Sequence, residues 1–236
     1  MQNEYLLLLN LAVVYGGVLL WQVFFKDKGL YCWTVLATIA ANIEVMILIK
    51  AFGMQQTLGN ILFASTFLVT DILSELYGRK QADRAVNMGI AASVSFILLS
   101  QFWLHYQPDS ADTVFPHIVA VFTNTPRIML TGLIVYGVVQ KFDVWLYHWW
   151  WEFTRKKYGD AERFLWLRNN GSTLISQFLN TVLFTLGAFY GVYEQAVLID
   201  IILFSYIIFI VTSIADTPVV YLARYLHKKY NMAEEK

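Results

Sequence analysis

Asn42, Asp71, Gln140 and Asn180 are scattered along a chain of 236 residues, yet each falls well inside an apolar block. Such blocks also carry the ionisable residues Glu44, Lys50, Glu75, Arg127, Lys141, Asp143, Asp200 and Asp216, and the neutral polar residues Ser172, Ser176 and Gln177. Carboxylates and amides of this kind accept and donate hydrogen bonds with defined geometry. They suit recognition of a polar molecule in a dry setting. The lone Cys32 has no CxxC or Cys/His partner pattern, so redox and zinc readings have no support and neither a metal nor a cofactor is expected. An ionisable group in a bilayer core costs several kcal/mol unless it is paired or hydrated, which makes each one a functional candidate.

The elements that must position these residues are set by composition. Hydrophobic residues make up 58% of the chain and charged residues 14%, well below the roughly 25% charged of an ordinary soluble domain. A membrane-crossing helix needs about 20 mostly apolar residues. Blocks of that length predict an all-α integral membrane protein with about seven transmembrane helices, at 5–25, 31–53, 58–77, 85–106, 118–151, 171–192 and 197–223. The fifth is over-long, and Pro126 is expected to start the true helix, leaving 118–125 as a short outer segment. The first carries Glu4 and no preceding Lys or Arg, and no small-x-small site follows, so it is expected to be a retained helix rather than a signal peptide.

Counted over these spans at ~1.5 Å rise per residue, Asn42, Asp71, Gln140 and Asn180 form a central layer with Gln177 close by. Glu75, Asp143 and Asp216 lie nearer one end, and Lys50 and Arg127 nearer the other. Polar groups at mid-membrane between helices are where transporters hold substrate. Blander roles compete. Ser172 and Ser176 fit packing as well as pocket lining, and Asn42, Gln177 and Asn180 fit interhelical hydrogen bonding. Glu75 could pair with Arg79 or Lys80, and Lys50 could reach the interface. The run His148–Glu152 reads as an interfacial aromatic belt rather than a stacking platform.

Charge placement tests the span count. Lys26 and Lys28, then Arg79, Lys80 and Arg84, then Arg155, Lys156, Lys157, Arg163 and Arg168, and finally Arg224, Lys228, Lys229 and Lys236 fall on alternate connections. These are fourteen of the 17 Lys and Arg, whereas 54–57, 107–117 and 193–196 hold none. The positive-inside rule then puts the N-terminus outside and the C-terminus in the cytoplasm. The formal net charge of zero gives no reason to expect a nucleic-acid partner; the expected partners are the lipid bilayer and a small molecule. Enzyme signatures are missing: the sequence has no HExxH, GxSxG or Walker A. A seven-helix sensory receptor of the retinal type would need a lysine within 197–223, and none is there.

Four stretches carry a resemblance to a known family. Residues 65–82, STFLVTDILSELYGRKQA, are similar to the third-helix signature of the queuosine precursor transporters, also called vitamin uptake transporters. Residues 126–143 (PRIMLTGLIVYGVVQKFD), 168–181 (RNNGSTLISQFLNT) and 215–221 (ADTPVVY) resemble further segments of that family in order, and with Asn42 the resemblance covers about 33–225. Two departures stand out: Asn180 occupies a position where the family usually has Asp, and residues 1–28 add a helix ahead of a six-helix core at 29–236 with a cytoplasmic tail. The resemblance implies a core similar to the substrate-binding subunits of energy-coupling-factor importers, although fold does not set function. It also implies import of a 7-deazaguanine base, such as the cyano or aminomethyl precursor of queuine or queuine itself, across a bacterial inner membrane. The implied substrate-binding residues are Asn42, Asp71, Glu75, Arg127, Gln140, Asp143, Gln177 and Asn180, with Lys50 and Asp216 as candidates for gating or coupling. Phe67 or Tyr136 could face the flat ring. A binding subunit that needs a separate ATPase, and a homodimer, both remain open.

The charge alternation makes a direct prediction. A reporter active only in the cytoplasm is expected to work when fused after Lys236 and to stay silent at the N-terminus; the reverse pattern overturns the orientation.

Overall fold

Within a bilayer the backbone must satisfy its own N–H and C=O groups, so apolar blocks become helices. The computed structural model describes residues 2–123, 126–159 and 164–234. Its elements run α1 (Gln2–Glu44), β1 (Leu48–Ala51), β2 (Met54–Thr57), α2 (Asn60–Tyr77), α3 (Arg79–Trp103), α4 (Phe115–Thr123), α5 (Pro126–Tyr158), α6 (Leu165–Phe189) and α7 (Gln195–Glu234). Five of the helices, α1, α3, α5, α6 and α7, are long and apolar enough to cross a membrane. The protein is an all-α membrane protein apart from one short antiparallel hairpin, β1–β2.

The 43-residue α1 is two helical arms joined at Lys26, whose backbone (φ 56°, ψ −135°) leaves the helical region. Side chains from the two arms meet across the bend: the rings of Trp21 and Trp33 are 5.9 Å apart, edge to face. In a straight helix their twelve-residue separation would put them about 18 Å apart. The second arm returns the chain to its starting end, where Asn3 Nδ2 donates to the Lys50 carbonyl at 2.9 Å and Phe52 N–H donates to Glu4 at 3.1 Å. With α2, α3, α5, α6 and α7, the two arms make seven rods. Their ends separate into a hairpin end, with the N-terminus, β1–β2 and α4, and a basic end, with Lys26, Arg79, Arg155 and Lys228.

Several expected boundaries shift. The second span was expected to reach residue 53, but helix ends at Glu44 and 48–57 form the hairpin. Asn42 therefore lies near the hairpin end rather than at mid-depth. The sixth helix begins at Leu165, one and a half turns before the expected 171, and takes Arg168 out of the basic loop into the bundle. The fourth starts at Arg79, and α7 continues as one helix to Glu234 despite Pro218. Pro126 does begin α5, with α4 as the short segment before it. Arg163 and Lys236, counted in the charge pattern, lie outside the described residues.

The bundle is apolar outside and polar within. Ile134, Val138, Ile207, Val211 and Ile214 are exposed, whereas Gln140, Asp143, Arg168 and Asn169 are completely buried. In water this arrangement would be untenable; in lipid it places hydrocarbon on hydrocarbon. α2 is the central rod, buried from Asn60 to Ser74 except at the partly buried Phe63, and packed against α1, α3, α5 and α7. The first arm of α1 packs on α7, where the Tyr15 hydroxyl donates to the Thr212 carbonyl (3.3 Å) and Gln22 Nε2 to the Ala223 carbonyl (3.0 Å).

The bend in α1 depends on Gly29, because a Cβ there would sit 2.1 Å from the Trp21 carbonyl oxygen. Gly29→Ala is expected to cost about 1–3 kcal/mol of stability through forced backbone displacement. Gly16→Ala, with open space around its added Cβ, is the control and should unfold like the parent in detergent. Equal stability of the two variants would show that the arms do not pack this closely.

Candidate functional site

One face of α6 is polar for most of its length: Arg168, Asn169, Ser172, Thr173, Ser176, Gln177, Asn180, Thr181 and Thr185 are all buried. Adjacent pairs recurring every four residues, from Arg168 and Asn169 to Asn180 and Thr181, keep them on one stripe. That stripe faces polar residues from α2, α5 and α7, and the bundle interior divides into three layers along it.

The layer nearest the hairpin end is a cavity of about 810 Å³, its open mouth included. Asn42 and Thr38 from α1, Asn60 and Phe63 from α2, Tyr136 and Gly132 from α5, Asn180, Thr181 and Phe184 from α6, and Ser205 and Phe209 from α7 line it. The aromatic part is continuous: the Phe63 ring lies 6.1 Å from Tyr136 and 6.4 Å from Phe209. Two buried polar atoms of wall residues, Asn60 Nδ2 and the Tyr136 hydroxyl oxygen, which lies against Gly89 of α3, have no hydrogen-bond partner among the described residues. A buried donor left unpaired costs about 1–3 kcal/mol, so the wall is built to meet something polar.

Below the cavity is a floor. Phe67, Val135 and Val139 close it from α2 and α5. Beside them Gln140 Nε2 donates to Thr66 Oγ1 at 2.6 Å, and the Thr70 hydroxyl donates to Gln140 Oε1 at 3.3 Å. Gln177 is buried in the same region with neither amide atom bonded.

The third layer, toward the basic end, is ionic. Arg168 is wholly buried and reaches Glu75 through Nη2 (2.7 Å to Oε1 and 2.6 Å to Oε2) and Nε (3.1 Å to Oε2). Tyr147 donates to Glu75 at 2.9 Å, and Arg224 lies 3.5 Å from the same carboxylate. The guanidinium also sits 4.3 Å above the Trp151 ring. Asp71 receives the Thr173 hydroxyl at 3.2 Å. Asp143 and Asp216 are buried in this layer too, and their carboxylate oxygens lack partners in hydrogen-bond geometry. Past this layer the rings of Tyr77 and His227 pack 5.1 Å apart.

The expected central layer is therefore split. Asn42 and Asn180 line the cavity, Gln140 and Gln177 occupy the floor, and Asp71 joins Glu75, Asp143 and Asp216 below it. Arg127 lies apart: it donates to the carbonyls of Gly187 (2.9 Å) and Tyr190 (2.8 Å), binding the C-terminal end of α6. Lys50 is on the hairpin, and its backbone carbonyl is what Asn3 engages. Glu75 pairs with Arg168 rather than with Arg79, which lies 3.7 Å from Asp83. The aromatic run is not a uniform belt. Trp149 faces outward, whereas Trp151, two residues on, turns inward as the platform for Arg168. Sequence reasoning missed Arg168 because it was assigned to a loop; its place four residues before Ser172 on the polar stripe was the available signal.

The model of a family described as "Putative vitamin uptake transporter" matches residues 57–223. A "Probable queuosine precursor transporter" of Bacillus subtilis (strain 168) is 33% identical over 207 residues, covering 88% of each chain. No solved structure matches.

The Arg168–Glu75 pair sets a measurable coupling. Arg168→Met leaves a buried carboxylate short of its main partner and is expected to cost about 3–5 kcal/mol in detergent unfolding. Adding Glu75→Gln should recover a large part of that loss. If the two substitutions are simply additive, the pair carries no coupling energy.

Proposed function

Since the chain belongs to the vitamin uptake transporter family, we propose that it imports a queuosine precursor, a 7-deazaguanine base, by way of the cavity at its hairpin end. The observation that carries this reading is the wall itself: aromatic faces arranged around polar groups whose hydrogen bonds are unmade. A deazaguanine is flat, which suits Phe63, Tyr136, Phe184 and Phe209. Its carbonyl accepts, which suits Asn60 Nδ2 and the Tyr136 hydroxyl. Its N1–H and exocyclic amine donate, which suits the amide oxygen of Asn180. An amide in place of a carboxylate makes that contact neutral, so recognition relies on shape and matched hydrogen bonds more than on charge.

In this reading the hairpin end faces outside and the base enters the open cavity from there. Gln140, Gln177 and Asp71 lie below Phe67 and Val139 and meet the base once that floor parts. Alternation of access between the two ends is the ordinary behaviour of a carrier with a site at mid-membrane. Reaching those residues in sequence explains why they are polar without bordering the open cavity.

The test is uptake of a labelled 7-deazaguanine base by the purified chain in liposomes, with binding measured in detergent. The chain alone is expected to transport; binding without transport would favour a subunit that depends on a separate ATPase. Tyr136→Phe and Asn180→Leu are each expected to weaken binding roughly tenfold, by leaving a polar group of the base unpaired. Parent-like binding by both variants would place recognition elsewhere.

A further inference from the structure

We propose that Asp71, Asp143 and Asp216 form a proton site beneath the cavity, and that protons taken up there drive the transport assigned above. The inference rests on that transport reading and adds its energy source.

The three carboxyls come from α2, α5 and α7 and are completely or almost completely buried, with relative exposures of 1%, 0% and 1%. All the groups that face them can be named. α1 contributes the Tyr15 hydroxyl, beside Asp216. α2 adds Glu75; α5 adds Tyr147, with His148 at its edge; α6 adds Arg168, Thr173 and the hydroxyls of Ser172 and Ser176 beside Asp143; α7 adds Arg224. α3 brings Arg79, Asp83 and Arg84 to the basic end, where Arg79 lies against Asp83 and Arg84 near Tyr31. Four acids thus share this region with two guanidiniums, and both guanidiniums are directed at Glu75. The remaining three carboxyls have no cation of their own among these groups.

Their oxygens make the same point. Asp71 Oδ1 and both oxygens of Asp143 and of Asp216 have no partner in hydrogen-bond geometry, and the groups beside Asp143 and Asp216 are neutral hydroxyls, of Ser172 and Ser176 and of Tyr15. Bare carboxylates in a dry interior cost several kcal/mol each, so something positive must neutralise them. No group of three or more acidic, His or Cys side chains among the described residues is placed to hold a metal ion. A proton neutralises a carboxyl without needing a set of converging ligands.

The same four helices tie this site to the cavity. On α2, α5, α6 and α7 the pairs Phe63 and Asp71, Tyr136 and Asp143, Thr181 and Thr173, and Phe209 and Asp216 each join the cavity wall to the acidic layer. Every pair is seven or eight residues apart, which is two turns on one helix face, or about 11–12 Å. A rigid-body tilt that parts the floor around a bound base must move all four carriers of the acidic layer. A proton loaded from the hairpin side stays on the acidic layer while the base is occluded, and leaves to water at the basic end. One proton is taken up and one released per base carried.

Two measurements on the full chain test this. Infrared spectra of the purified protein at pH 7 should show protonated carboxyl bands that weaken in Asp143→Asn and Asp216→Asn. Their absence overturns the proton site whatever the chain transports. In liposomes with the potential clamped, an outside solution one pH unit more acid should accumulate labelled base about tenfold. Both variants should lose that accumulation, and Asp216→Asn should keep exchange of base for base. Accumulation that ignores the gradient, or variants that still accumulate, overturns the coupling. Loss of exchange in the parent chain would overturn the transport reading, and the coupling with it.

Discussion

A guanidinium with no exposed surface, held in a medium that does not solvate it, has to be met on every side. Arg168 is met by the Glu75 carboxylate through Nε and Nη2, by the Tyr147 hydroxyl and by the Trp151 ring. Those partners come from α2 and α5, and Arg224 of α7 shares the carboxylate. The pair therefore fixes the relative depth of four helices at the basic end. Because breaking such a pair costs more than making it gains, its value lies in specifying one arrangement rather than in raw stability.

Around that anchor, the segments that resemble one another across the family interlock. Asn170 of RNNGST donates to Thr217 of ADTP at 2.6 Å and accepts from Ser213 at 3.2 Å. Thr173 donates to Asp71, and Gln140 bridges to Thr66 and Thr70. Residues far apart in the chain thus share hydrogen bonds that water cannot replace at this depth. The bonds are concentrated in the inner half of the bundle. The half toward the hairpin is less completely bonded, and there the interior opens into a cavity. A sealed lower half and an open upper half are what one state of an alternating carrier needs.

The fold also shows how polar content is tolerated in the membrane. Thr34, Thr38 and Thr181 turn their hydroxyls onto carbonyls in their own helices, which satisfies them locally without committing them to a partner helix. Among the groups left without a partner are the larger side chains Gln177, Tyr136, Asp143 and Asp216, together with Asn60 and Asp71. Local satisfaction of the small residues makes the exceptions meaningful, since they are not a general failure of pairing.

The sequence by itself determined the membrane class, the number of rods and the side on which basic residues gather, because hydrophobic length and charge placement act one segment at a time. It also supplied the polar inventory, and the four motifs that resemble the family. Depth was only partly legible. Asn42 was placed too deep because an amphiphilic hairpin strand, LIKA, reads as a continuation of the helix before it. Arg168 was placed in a loop because a buried arginine and a cytoplasmic one look alike until the partner is known. Tertiary structure alone decided that Trp151 turns inward while Trp149 faces out, that Glu75 takes Arg168 rather than its neighbour Arg79, and that Asp71 sits beneath the cavity instead of in its wall. Each of these depends on which helix face meets which. Between helices that are apolar over most of their surface, that choice is made by a few buried polar contacts spanning many residues of sequence, which no local pattern encodes.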